Sequence, residues 1–411
     1  MQLRLWTASA LALIAVLLVM LVNGVSDARD SLHTVGSDTA PQAATAADLY
    51  YALADMDAQV ANVLLIGHDE QIGNKQSVLR QLRRDRAAVS AAIQKLVDGG
   101  LSPEGHKVAQ DLLADLATYD SLTGQARLAD DQVADRTPAG NPPALATNFY
   151  LTATALLHQD MLPAADRLGA DAENRLSDSA RDGRDSAHTA ALTVALLGTA
   201  AVVVLVGFQV VLTRRFRRIL NPALAAVTLA VAVVTGLGAS LLADHGERLR
   251  DAKTEAFDPF SELARTRAIA SDANADESRY MILPDRGTYY RAQFDGKVAE
   301  LYKTSSQPGL DRRLAAFLRD DAALVAAVER GDRAAAIGMA TNIGRGNLAF
   351  EFYDYQDTLD DTATAHHTDF VDRVDDAEAA LTGWTVLPPL VLGAGVLLVV
   401  VAVRPRLREY R

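Results

Sequence analysis

The stretch Thr213–Asn221, TRRFRRILN, decides how the chain is read. It packs four arginines into nine residues. Uncharged apolar runs flank it on both sides, Ala190–Leu212 and Pro222–Ala243. A helix of about 20 apolar residues crosses the hydrocarbon core of a bilayer, so each run is long enough to span one. The stretch is therefore a tight basic turn between two membrane spans.

Working outward, two more uncharged apolar runs appear, Leu5–Val22 and Leu381–Val403. The first resembles a secretory leader in position. Its apolar core is too long for one, and no good small-residue cleavage site follows, so it reads as an uncleaved span. Two long polar segments remain, Asn23–Thr189 and Asp244–Ala380. The chain thus divides into spans at 5–22, 190–212, 222–243 and 381–403, outer segments at 23–189 and 244–380, and inner segments at 213–221 and 404–411.

Charge orients this plan. The short segments Met1–Arg4, Thr213–Asn221 and Arg404–Arg411 hold nine Lys and Arg against one acid, Glu409. The two long segments hold 31 against 51. Basic loops stay on the cytoplasmic side, which predicts a multi-pass protein of the plasma membrane with both termini and the central turn inside. The acidic outer mass speaks against nucleic acid as a partner. With no cysteine among 411 residues, disulfides and thiolate metal sites are excluded.

The outer segments read as helices. Leu49, Leu53, Met56, Val60, Val63 and Gly67 repeat at 4-3-4-3-4, a seam that faces a partner helix. A polar loop around His68 follows, and Val78–Leu96 and Val108–Ala126 carry two further helical patterns. Between these, Gly99-Gly100 closes one helix, and Ser102 followed by Pro103 opens the next. Asp135–Pro143 is a loop, and the helix beyond it holds Pro163, which predicts a kink. Four helices on this length make an antiparallel bundle. The second outer segment repeats the plan less regularly, with Arg330-Gly331-Asp332 as a stop and restart. Ala52–Ala58 aligns with Ile269–Ala275, and His158–Leu162 with Tyr355–Leu359. The expected fold is an all-α membrane protein with four transmembrane helices and two extracytoplasmic four-helix bundles, arranged as a tandem duplication.

No catalytic motif, cofactor site or metal site emerges, so the expectation is a protein that is not an enzyme. His366 and His367 are adjacent and diverge on a helix, even with Asp369 and Asp372 nearby. The spans lack charged residues, with Gln209 their one strongly polar side chain, which disfavours a transporter. Gly236, Gly238, Gly393 and Gly395 would let spans pack closely. Two surfaces are candidates for docking. Inside, Arg214, Arg215, Arg217, Arg218, Arg404, Arg406 and Arg408 suit anionic lipid and a cytoplasmic protein. Outside, Tyr289, Tyr290, Phe352, Tyr353 and Tyr355 either dock a partner or fill a core. The run Asp354, Asp357, Asp360, Asp361 is a wet helix face or a receiver for a basic ligand.

ALADMDAQVANVLLIG (52–67) and AAVERGDRAAAIGMATN (326–342) resemble the four-helix-bundle sensory domains of chemoreceptors and histidine kinases. Over the whole chain, the order of spans and bundles, with LLHQDMLPAADRL (156–168), resembles the four-span membrane protein of the actinobacterial amino-acid sensing system. That resemblance implies an extracellular solute-binding lipoprotein of the glutamine-binding type and protein kinase G inside as partners. It also implies relay of amino-acid status between them, and chemoreceptor analogy adds a homodimer. The inner segments leave no room for a kinase or a linker module. A scaffold subunit without sensing is the alternative, and a transporter component comes third.

Overall fold

A computed structural model of the chain describes residues 2–68, 74–133, 138–216, 222–304 and 308–408. Among the described residues the chain is helical throughout, with no strand. The helices are α1 (Gln2–His33), α2 (Ala40–Ile66), α3 (Lys75–Asp98), α4 (Pro103–Asp131), α5 (Ala144–Leu156), α6 (Leu162–Phe216), α7 (Pro222–Asp251), α8 (Asp258–Ile282), α9 (Gly287–Thr304), α10 (Pro308–Glu329), α11 (Arg333–Thr341), α12 (Leu348–Leu381) and α13 (Leu387–Arg408).

Among the described residues, three helical runs are long and apolar enough to cross a membrane: Trp6–Ile66, Ala144–Arg214 and Pro222–Ile282. A shorter apolar helix covers Leu387–Val399. Each long run contains a π-turn, at Thr34–Thr39, Leu157–Met161 and Ala252–Phe257. Each π-turn ends two residues before a proline: Pro41, Pro163 or Pro259. Proline has no N–H to donate, and its ring clashes with the carbonyl four residues back. One extra residue in the preceding turn relieves the clash without ending the helix. The kink expected at Pro163 is thus a π-turn, and the same device recurs in both halves of the chain.

The chain divides into two compact units. One comprises residues 1–38, 176–256 and 369–411, and the other residues 39–175 and 257–368. The first holds the apolar helices. In it α7 packs against α13, and α1 against both. Glycine allows the closest approaches. A β-carbon at Gly198 would lie 2.1 Å from Thr235, and one at Gly238 would lie 2.7 Å from Leu21. Gly395 meets Val227 at 3.5 Å, whereas Gly236 and Gly393 face open space. Of the four glycines expected to serve packing, two do so. Gln209 donates to Thr228 Oγ1 at 2.9 Å, which satisfies its amide within this unit.

The second unit corrects the expectation of two separate bundles. Residues of both long segments fold together, and α2 makes its most extensive packing with α8. The reason lies in α2 itself. Leu49, Leu53, Met56, Val60 and Val63 are buried as the seam predicts, but so is every residue from Ala52 to Ile66. A helix buried on every side needs neighbours on every side, and here α3 from its own segment and α8 from the other supply them. The helix ends follow local rules. Ser102 Oγ accepts from Gly105 N at 3.0 Å with Pro103 behind it. Asp332 accepts from Ala335 N at 3.2 Å, after Gly331 at φ +79°.

Candidate functional site

Inside the second unit, polar residues interrupt the α2–α8 seam and gather into two clusters. The first centres on Arg279 of α8, only 1% exposed. Its guanidinium pairs with Asp57 of α2 and with Asp276 one turn away. Its Nε donates to the Tyr150 hydroxyl at 3.0 Å. Asp57 in turn accepts from Tyr119 Oη at 2.7 Å and from Thr154 Oγ1 at 3.2 Å. Lys297 of α9 reaches Asp272 at 2.6 Å and also holds Asp276. Five helices from both long segments therefore meet on one charge network. Burial raises the Asp272 carboxyl, but Lys297, His158 and Arg279 outweigh it and hold the group down at about 2. Buried charges are tolerable only when paired, and here the Arg279 guanidinium and the Lys297 ammonium pair the carboxylates of α2 and α8.

The second cluster lines a cavity of about 750 Å³. Asp55, Gln59 and Gln356 are buried against it, and Tyr51, Phe352 and Tyr353 add ring surface. Asp55 Oδ1 accepts from Gln59 Nε2 and from Ser271 Oγ, both at 3.3 Å. Gln356 Nε2 donates to Ser271 Oγ at 3.0 Å and to the Arg267 carbonyl at 3.1 Å. The Arg267 guanidinium lies 3.7 Å over the Tyr51 ring and pairs with Asp360. Asp85 of α3 is buried near Asp55. Burial, then the Asp55 charge, pushes its carboxyl up to about 8. Arg80 and Arg84 also line the cavity and are exposed.

The candidate residues read from sequence fall unevenly. Of the aromatics proposed for outer docking, Tyr289 is 59% and Tyr353 44% exposed, so both remain surface groups. Tyr290, Phe352 and Tyr355 are buried; the Phe352 ring packs at a tilt on Phe317, 5.7 Å between centres, and Tyr355 is fully enclosed. Those three are core, not a docking surface, although Phe352 also touches the cavity. Asp354, Asp357 and Asp360 of the acidic run line the cavity, with Asp354 2.8 Å from Arg313. Arg214 is exposed at the end of α6, beside Arg215 on the same helix. Arg404, Arg406 and Arg408 lie on α13, and Arg217 and Arg218 fall outside the described residues.

One group of three potential metal ligands occurs among the described residues: His68, Asp130 and Asp131. The Lys75 ammonium lies 3.5 Å from Asp130 and 3.3 Å from Asp131, so a cation already balances these carboxylates.

Sequence reading missed Asp57, Asp276 and Arg279 as a network. The available signal was polar residues placed where the helical pattern demands core. DMDAQVAN (55–62) and SDANADESR (271–279) both carry it, and each overlaps the alignment of the two halves, at 55–58 and 271–275.

Residues 31–181 match the family model described as an actinobacterial sensor domain. No curated protein and no solved structure matches the chain. The matched segment includes Asp57, Tyr119, Tyr150 and Thr154 of the first cluster and Asp55, Gln59 and Asp85 of the second. The match supports a sensing role in an actinobacterium, and the long apolar helices point to membrane association.

Proposed function

We propose that the protein is a non-enzymatic transmembrane sensor that passes extracellular nutrient status, amino acids above all, to a cytoplasmic protein kinase. The observation that carries this reading is the sensor-domain match over residues 31–181, a segment that begins and ends within long helical runs apolar enough to cross a bilayer. In this reading all four apolar runs span the plasma membrane and both termini are cytoplasmic. The unit built from residues 39–175 and 257–368 then faces outward. A solute-binding lipoprotein presents the ligand to that unit. The message leaves through the arginines of 213–221 and 404–411, which also contact anionic lipid. Small shifts of helices that continue from the sensing unit into the spans are a known way to carry a signal across a membrane.

An engineered disulfide tests the relay. A β-carbon at Gly169 would lie 4.0 Å from the Ala46 β-carbon, within the range a disulfide bridges. The chain has no native cysteine to compete. The variant Ala46→Cys, Gly169→Cys, once oxidised in cells, ties α2 to α6. We expect substrate phosphorylation by the cytoplasmic kinase to stop responding to amino-acid addition, and to recover on reduction. An unchanged response with the bond formed contradicts the relay. Partner association that ignores amino acids altogether favours a scaffold.

A further inference from the structure

The cavity beside α2 has a floor made of acceptors. Gln356 is fixed in orientation. Its Nε2 faces the Arg267 carbonyl, which only accepts, so the amide oxygen points away from that bond. Gln59 is fixed likewise, since its Nε2 faces the Asp55 carboxylate. Both side chains are buried, Gln59 at 2% and Gln356 at 7% exposure. The Oε1 atoms of both have no hydrogen-bond partner among the described residues. A buried amide oxygen without a donor costs about 1–3 kcal/mol, so two on one cavity call for an explanation. Asp55 stands beside them, 5% exposed and within the same lining. The nearest cation, Arg267, is already committed to Asp360 and to the Tyr51 ring.

We propose that this cavity binds the primary ammonium group of a small ligand. Three N–H donors would go to Gln59 Oε1, Gln356 Oε1 and the Asp55 carboxylate. A primary ammonium offers three donors and no acceptor, which complements a floor of three acceptors. A hydroxyl brings one donor and leaves two acceptors unmet, and a carboxylate brings none. The rings of Phe352 and Tyr353 line the same cavity and suit the cation or the carbon chain behind it. The mouth extends the logic. Arg80 and Arg84 of α3 are exposed on the lining and suit a carboxylate at the far end of the ligand. The shared chemistry is the ammonium group, and its source is an aliphatic amine or an amino acid.

This inference rests on the sensing reading for its purpose, but its test is independent of any kinase. Full-length protein in lipid nanodiscs is titrated by calorimetry with 1-butylamine, 1-butanol, L-amino acids and the same amino acids N-acetylated. Heat from the free-amine ligands, lost on acetylation and absent with butanol, is the expected result. Preference for amino acids over butylamine assigns the arginines at the mouth, and the reverse restricts the site to amines. Gln356→Leu removes one acceptor and is expected to weaken binding at least tenfold. Asp55→Asn keeps the oxygen that accepts from Gln59 and Ser271 but removes the charge, and is expected to weaken binding as well, which guards against a leucine variant that fails to fold. Equal heats for acetylated and free ligands, or no binding by any amine at millimolar concentration, overturn the proposal. A binding failure leaves the disulfide test of the relay standing, and a relay failure leaves the cavity chemistry standing.

Discussion

At the residue scale, the account depends on buried charge. Arg279 is almost fully enclosed and answers carboxylates on both α2 and α8. Replacing it with methionine leaves the buried Asp57 without its cation, while Asp276 keeps Lys297. Removing one partner of a buried pair costs about 3–5 kcal/mol. Urea unfolding of Arg279→Met in detergent is therefore expected to show a loss of that size, partly recovered by Asp57→Asn on the same background. Asp85 behaves in the opposite sense. Its carboxyl is raised from 3.8 to about 8, first by burial and then by Asp55. Above about pH 4 the unfolded chain has released this proton while the folded chain keeps it. Stability contributed at this site falls as pH climbs from about 4 to about 8 and is level beyond. Asp85→Asn is expected to flatten that slope and to stabilise the fold by on the order of 1 kcal/mol at pH 8. Thermal melts across this range check it, and an unchanged slope contradicts the assignment.

At the element scale, much was legible and the limits were physical. Apolar runs, helix caps and the proline at 163 could all be read because each acts within one or two turns of helix. Ser102 and Asp332 cap their helices as spacing predicts. That a proline forces a π-turn and not a break was not readable, since the outcome depends on packing that keeps the helix going. Glycine shows the same division. All four paired glycines fit a close-packing pattern in the sequence, but Gly236 faces open space while Gly198, outside the pattern, meets Thr235. Gly198→Ala is expected to lower the melting temperature in detergent by several degrees, because the new methyl would overlap a β-branched side chain. Gly236→Ala is expected to leave it level or raise it, since alanine favours helix by about 1 kcal/mol. Equal effects from both contradict the packing described.

At the scale of the whole molecule, the sequence separates what the fold joins. Two similar stretches, 52–58 and 269–275, read as the same position in two independent bundles. In the structure they belong to α2 and α8, which lie against each other in one unit. Contacts between residues more than two hundred positions apart leave no periodic trace, so Asn62 bonded to Ser278 or Asp55 bonded to Ser271 cannot be read from either half alone. A cavity formed jointly by residues of α2, α3 and α12 was hidden for the same reason. The central claim is that both long segments build a single sensing unit, and one cross-link tests it. Ser278 Oγ lies 2.8 Å from Asn62 Oδ1. The variant Asn62→Cys, Ser278→Cys, with a protease site placed in 213–221, is expressed in cells, solubilised, cleaved and run without reductant. The account predicts that the two halves stay joined by a disulfide and part only on reduction. Halves that separate freely without reductant, from protein that is otherwise folded, would contradict it.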